Sequence, residues 1–204
     1  MKTIILASTS PRRKELLEKT KLPFTVKASD YKENLNLNLK PRVPAKHLSL
    51  GKASAVASKC KKSIVIGADT FIVFKGKILG KPQTEKEAFE MLKRLSGDAH
   101  SVITGFTIID SDTKQTISKS VETKAFFRKL TNKEINNYVK SKEPLDKAGA
   151  YAIQGLGAVL VEKIDGDYFN VVGLPLNAVV QCLRVFGVDV LRMWHNRNER
   201  WLGS

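Results

Sequence analysis

The sequence predicts an α/β fold with a mixed sheet, on three observations. Residues 63–68 (Ser-Ile-Val-Ile-Gly-Ala) form a continuous apolar run, the pattern of a central strand covered on both faces. Two long β-branched runs, 102–109 and 116–127, are joined only by the polar turn Ser111-Asp112-Thr113. Helical stretches stand between the strand-like ones, and two of them open on a capping-box pattern, Thr84-Glu-Lys-Glu87 and Thr131-Asn-Lys-Glu134.

Taken in order, Thr3–Ala7 suits a buried strand, and after Ser8-Thr9-Ser10-Pro11 the residues Leu16 and Leu17 with flanking charges read as a helix. A second strand is expected over 24–28. The stretch 30–42 is polar, rich in Asn and Lys and bounded by Pro41 and Pro44, and reads as a mobile loop. A helix over 45–59 leads into the apolar strand 63–68, which is expected to end at Asp69. Residues 71–74 and 77–79 flank Lys75-Gly76 as a hairpin. The helix capped by Thr84 carries Ala88, Met91, Leu92 and Leu95 and stops at Gly97, and the one capped by Thr131 turns Ile135, Tyr138 and Val139 inward. Residues 158–163 and 168–172 flank Asp165-Gly166-Asp167 and read as another hairpin, before Pro175 begins a final helix to Phe186. Residues 1–190 are expected to form one domain and 191–204 a frayed basic tail with interspersed Met193, Trp194 and Trp201.

A chain of 204 residues has room for one sizeable core or two small lobes sharing one. No window approaches the roughly 20 apolar residues that span a bilayer, and the apolar start at Ile4 is too short for a signal peptide, so a cytoplasmic protein is expected. Cys60 and Cys182 lack CxxC spacing and lie in helix-like apolar surroundings, which points to buried free thiols. The formal charge of +15 implies polyanionic company without choosing among nucleic acid, phosphates and anionic lipid.

Three positions carry chemistry. With Ser10 as N-cap and Pro11 at the first helical position, Arg12 and Arg13 fall in the first turn, where the helix dipole disfavours cations. Together with backbone N–H groups and the Ser8 and Ser10 hydroxyls they would make a phosphate site, against the alternative of an ordinary basic helix start. Lys52 lies on the apolar stripe Ala45, Leu48, Ala55, Val56, so its stem either snorkels past the core edge or its ammonium reaches a buried anion. Asp69 ends an apolar strand, where α/β sheets bind ligands, and its carboxylate could hold a metal or take a proton from water. P-loop, HExxH and GxGxxG patterns are missing from the sequence. His47, His100 and His195 sit in polar or tail segments with no nucleophile beside them, so any metal is expected to be a hard, oxygen-bound Mg²⁺ or Mn²⁺.

Five motifs in order carry a resemblance: Ser8-Thr9-Ser10-Pro11-Arg12-Arg13, Gly67-Ala68-Asp69-Thr70, Gly80-Lys81-Pro82, the run from Asp146 to Gly155 (Asp-Lys-Ala-Gly-Ala-Tyr-Ala-Ile-Gln-Gly), and Val171-Val172-Gly173-Leu174-Pro175-Leu176. From about Ile4 to Phe186 the chain resembles the Maf (septum formation) family of nucleotide pyrophosphatases. Two departures stand out, Gly51 inside the helix of Lys52 and an Asn-rich stretch beside Glu33. The resemblance implies an elongated mixed α/β fold similar to inosine triphosphatases, with two lobes around a central cleft, often dimeric. It also implies a nucleoside triphosphate substrate gripped by Ser8, Arg12, Arg13, Lys52 and Lys81. Asp69 matches the family's catalytic aspartate, and Glu33 a carboxylate that helps it hold the metal. Gln154, with Arg12 and Thr70, matches the specificity positions. The Ala-Ile-Gln-Gly form at Gln154 is similar to the branch acting on dTTP, UTP and modified pyrimidine nucleotides. A 7-methyl-GTP pyrophosphatase, a nucleic-acid-binding protein and a nucleotide sensor acting on cell division remain open on sequence alone.

Overall fold

The computed structural model describes residues 2–32 and 42–195. Seven strands form one mixed sheet in the order β2-β1-β3-β5-β6-β7, with β4 paired to β3 off that path. Strands β1 (Thr3–Ala7), β2 (Phe24–Val26) and β3 (Ser63–Phe74) make the parallel part. Strands β4 (Lys77–Leu79), β5 (Ala99–Asp110), β6 (Thr116–Phe127) and β7 (Val161–Asp165) join it antiparallel. Helix α1 (Pro11–Glu18) connects β1 to β2 on one side, and α2 (Arg42–Ala57) connects β2 to β3 on the other side of β1. The carboxyl ends of β1 and its neighbour β3 are therefore a switch point of the kind where α/β sheets take their ligands.

β3 is longer than the sequence suggests. The apolar run does not end at Asp69, because β5 pairs with it without interruption from Ile64↔Asp110 to Val73↔Ser101. Its other edge is divided. β1 accompanies it to Gly67 and β4 from Ile72, so among the described residues no strand pairs with 68–71 on that side.

The period of two along β3 then assigns each side chain to a face. Ile64, Ile66 and Ala68 pack with Leu16, Leu17 and Leu183, on the side of α1 and α6 (Leu176–Val185). Val65 packs with Ala53 and Val56, on the side of α2. Asp69 continues the α2 parity and Thr70 the α1 parity. Helix α2 lies very close to the sheet: a Cβ at Gly67 would sit 2.6 Å from the Ser49 carbonyl oxygen, and one at Gly105 would sit 2.1 Å from that of Ala45. A second core beyond the gap joins Ile72 and Leu79 to Leu92 and Leu95 of α3 (Glu85–Leu95) and Ile135 of α4 (Asn132–Lys140). The two cores lie on the same face of one sheet, with Thr70 between Ala68 of the first and Ile72 of the second.

Both helix-start signals form, in different detail. Thr131 and Glu134 make the reciprocal box. Thr84 accepts from the Glu87 N–H, but Glu87 reaches back to the N–H of Gln83 instead of that of Thr84. The expected hairpin around Asp165-Gly166-Asp167 does not form: only β7 is a strand, and 168–172 is helix α5 (Tyr168–Val172). Asp167 is its N-cap, accepting from the N–H groups of Phe169 and Asn170 at 2.8 and 3.2 Å, so the turn residues served a helix start. Cys182 is buried but Cys60 is only half-buried, with the Lys27 ammonium 3.4 Å from its sulfur. His100 belongs to β5 and is buried, contrary to the polar setting expected for it. Residues 190–195 are helical, and Met193 packs on the first core.

Gly105→Ala forces a Cβ against the α2 backbone, which cannot rotate away as a side chain would. We expect it to destabilise the fold by about 2 kcal/mol or more, read as a lower denaturant midpoint at unchanged slope; a midpoint equal to the parent's would contradict this packing.

Candidate active site

The divided edge of β3 opens into a cleft of about 1010 Å³. Asp69 and Thr70 form its floor, the 8–13 segment and Gly173 one wall, and Gly80, Lys81 and residues 146–148 and 151–154 the other. Because no strand among the described residues pairs with 68–71 on this edge, side chains from both faces of the sheet reach this space.

On the α2 face the Lys52 ammonium meets a carboxylate oxygen of Asp69 at 2.5 Å, with the two side chains only 16% and 13% exposed. Lys52 does not snorkel to solvent; it is the partner of a buried anion. Tyr31 lies against the same helix, its ring occupying the space a side chain at Gly51 would need, with its hydroxyl 3.2 Å from His47 Nε2. This explains a glycine in mid-helix: it makes room for an aromatic ring at the cleft rim.

On the α1 face Arg13 ties three chain segments together. Its Nε donates to the Gly173 carbonyl at 2.9 Å, one terminal nitrogen to Ser8 Oγ at 3.3 Å and the other to Thr70 Oγ1 at 3.1 Å. Thr104, opposite Thr70 on β5, lies 3.0 Å from Thr70 Oγ1 and donates to the Asn170 carbonyl, carrying the network to α5. Gly173 has φ 127°, a conformation that favours glycine, and it turns its carbonyl toward Arg13. Ser10 is the N-cap of α1, with Pro11 at the first position and no side-chain cap bond among the described residues. The hydroxyl that helps here is that of Ser8, which accepts from the Ser10 N–H and from Arg13.

The opposite wall is joined to the β4 end by the Gly149 N–H, which donates to the Gly80 carbonyl at 3.0 Å. Lys81 is exposed at its rim, Gln154 half-buried. Asp146 is paired with Lys147, and the hydrogen bond from that ammonium, helped by the more distant Arg12 charge, holds its carboxyl below the usual range. Behind this wall Tyr151 bonds His100 Nε2 at 2.7 Å, and both rings pack edge-on against Phe127.

Ser8, Arg12, Arg13, Lys52, Asp69, Thr70, Lys81 and Gln154 thus all line one cleft, while Glu33 lies outside the described residues. Lys147 is a further cation of the wall to which sequence patterning assigned no role, and Thr104 a buried support with no sequence signal beyond its place opposite Thr70. The profile of the family described as Maf-like protein matches residues 3–186. The chain belongs to the Maf family. Among curated Maf relatives, the dTTP/UTP pyrophosphatase of Bacillus cereus strain G9842 is 49% identical over 190 residues, covering 93% of this chain and 98% of that one. A dTTP/UTP pyrophosphatase of Bacillus thuringiensis subsp. konkukian strain 97-27 is similar to the same degree, 49% with the same coverage. The mixed sheet with flanking helices agrees with the Maf resemblance.

Burial of His100 lowers its pKa from 6.5 to about 4, so the fold holds the neutral ring. The unfolded chain takes up the proton first: the stabilising contribution is complete above pH 6.5 and is lost as pH falls from 6.5 toward 4. The loss is expected to reach about 3 kcal/mol, and replacing His100 by Gln should remove that part of the acid slope in denaturant titrations. An unchanged slope in the variant would show that His100 is not its source.

Proposed function

We propose that this chain is a nucleoside triphosphate pyrophosphatase that hydrolyses dTTP and UTP to the monophosphate and pyrophosphate. The observation that carries this reading is the convergence of Arg12, Arg13, Lys52 and Lys81 around the acid Asp69 in one cleft. The relatives at 49% identity, named dTTP/UTP pyrophosphatases, support the same substrate class.

The donor chemistry of the cleft suits a hard divalent cation. Among the described residues no group of three or more His, Cys, Asp or Glu could enclose a metal. A single floor carboxylate, Asp69, fits the habit of Mg²⁺ or Mn²⁺, which takes most of its ligands from water and substrate phosphates. In our reading Glu33 joins Asp69 in holding it. When bound, such a cation neutralises phosphate charge and polarises phosphorus toward attack.

The chain's own groups do the rest. Asp69 accepts a proton from, or orients, the water that attacks the α-phosphorus, and the Lys52 ammonium fixes the direction of its carboxylate. Arg12, Lys81 and the α1 amino end bind the outer phosphates and stabilise the charge on departing pyrophosphate. Arg13 contributes its charge from a position set by Ser8, Thr70 and Gly173. Gln154 offers one acceptor and two donors to the carbonyl and N–H edge of uracil or thymine. Residues up to about 190 serve this activity as one domain.

Pyrophosphate release from a panel of dTTP, UTP, CTP, GTP, ATP and 7-methyl-GTP with Mg²⁺ or Mn²⁺ tests the reading. Turnover is expected for dTTP and UTP, and Asp69→Asn should lower kcat by about 10²–10⁴-fold while the variant stays folded. If no nucleotide of the panel releases pyrophosphate, the enzyme reading is wrong.

A further inference from the structure

The wall that carries Gln154 has almost no ladder to hold it. Residues 143–157 pass through short 3₁₀ turns, Glu143–Asp146 and Ala148–Ala150, and enter a third, Leu156–Leu160. Gly149, Ala150 and Gly155 have φ of 68°, 62° and 98°. A segment of this kind must find other partners for its backbone N–H groups.

We infer that Glu143 is a positioning residue for nucleobase selection, its carboxylate clasping the segment on the far side of Gln154. One carboxylate oxygen accepts from Tyr138 Oη at 2.8 Å and from the Gly157 N–H at 3.0 Å, and the other from the Leu156 N–H at 3.1 Å. Tyr138 Oη in turn accepts from the Ala152 N–H at 3.3 Å. The two side chains therefore fix the backbone on both sides of Gln154. The inference rests on the reading that Gln154 meets the base.

The chemistry requires a carboxylate. Every group facing Glu143 here is a donor, and an ionised carboxylate only accepts, whereas an amide would turn an NH₂ toward one of those donors. The fit is close: a Cβ at Gly155 would lie 2.7 Å from a Glu143 oxygen, so a bare backbone is pressed against the charge. The clasp is also anchored. Tyr138 is buried in the second core on α4, the helix with the complete capping box, and the Glu143 N–H donates to Ser141 Oγ at 3.3 Å. Glu143 does not line the cleft, so its effect on substrate passes through the placement of Gln154. Displacement of a substrate-positioning group by about 1 Å weakens recognition far more than it disturbs the fold.

Glu143→Gln and Tyr138→Phe, made separately in the full chain, test this with two readouts. Without nucleotide, amide hydrogen exchange at Ala152, Leu156 and Gly157 is expected to quicken about tenfold. With nucleotide, KM for dTTP and UTP should rise about tenfold with kcat within about threefold, and the preference for dTTP over CTP should shrink correspondingly. Glu143→Asp, which keeps the carboxylate, should recover part of that preference. Tyr138→Phe keeps the core ring and serves where Glu143→Gln fails to fold. Unchanged exchange, or an unchanged dTTP-to-CTP ratio in the variants, overturns the clasp. A parent protein that releases no pyrophosphate overturns the functional reading and this inference with it; a selective parent beside equally selective variants overturns the clasp alone.

Discussion

In a sheet each strand edge either pairs or stays available to other partners, and along one edge β3 is paired in two stretches with a gap between them. β1 leaves it at Gly67 and β4 takes it up at Ile72. The four residues between, 68–71, are paired with β5 on the opposite edge and, among the described residues, with no strand on this one. The rest of the site follows from that interruption. The chain leaving β1 has to turn away over the opening, which puts Ser8 and the start of α1 at its rim, and the chain leaving β4 brings Gly80 and Lys81 to the other side. Rigidity on one edge and access on the other are what a preorganised binding floor needs.

Charge is distributed in keeping with this geometry. Asp69 and Thr70 are consecutive, yet they belong to separate networks, Asp69 with Lys52 above one face and Thr70 with Arg13 and Thr104 above the other. A buried carboxylate without Lys52 would be costly, and the ion pair instead leaves a strongly directional anion at the base of a basic cleft. The formal charge of +15 gives the whole molecule a field that draws anions, and the cleft gathers several of those cations with few acids facing them.

Much of this was legible in the sequence, for reasons that can be named. The apolar run at 63–68 and the paired β-branched runs gave away the sheet because their patterns are local, and the cation pair in the first turn of α1 stood out because it opposes the helix dipole. Lys52 was ambiguous between solvent and a buried anion, since helical spacing gives a direction but not what waits there; only the register of β3 under α2 settles it. The misread hairpin at 165–167 has a similar origin. Asp-Gly-Asp satisfies a turn and a helix N-cap equally well, and Tyr168–Val172 is apolar enough for either element. Glu143 and Thr104 gave no signal because their meaning lies in partners more than ten residues away, such as Gly157 and Asn170.

The alternation of faces along β3 also bears on how such a chain can change over evolutionary time. Adding or deleting a single residue between Ser63 and Ala68 would turn Asp69 and Thr70 each to the opposite face of the sheet: an insertion would set Asp69 at the position facing Arg13 and Thr104 and leave Ala68 opposite Lys52, and a deletion would set Thr70 opposite Lys52. Point substitutions there are a matter of volume, but a change of length is a change of wiring. A chain of this design is therefore expected to tolerate length changes in its connections and not within the central strand.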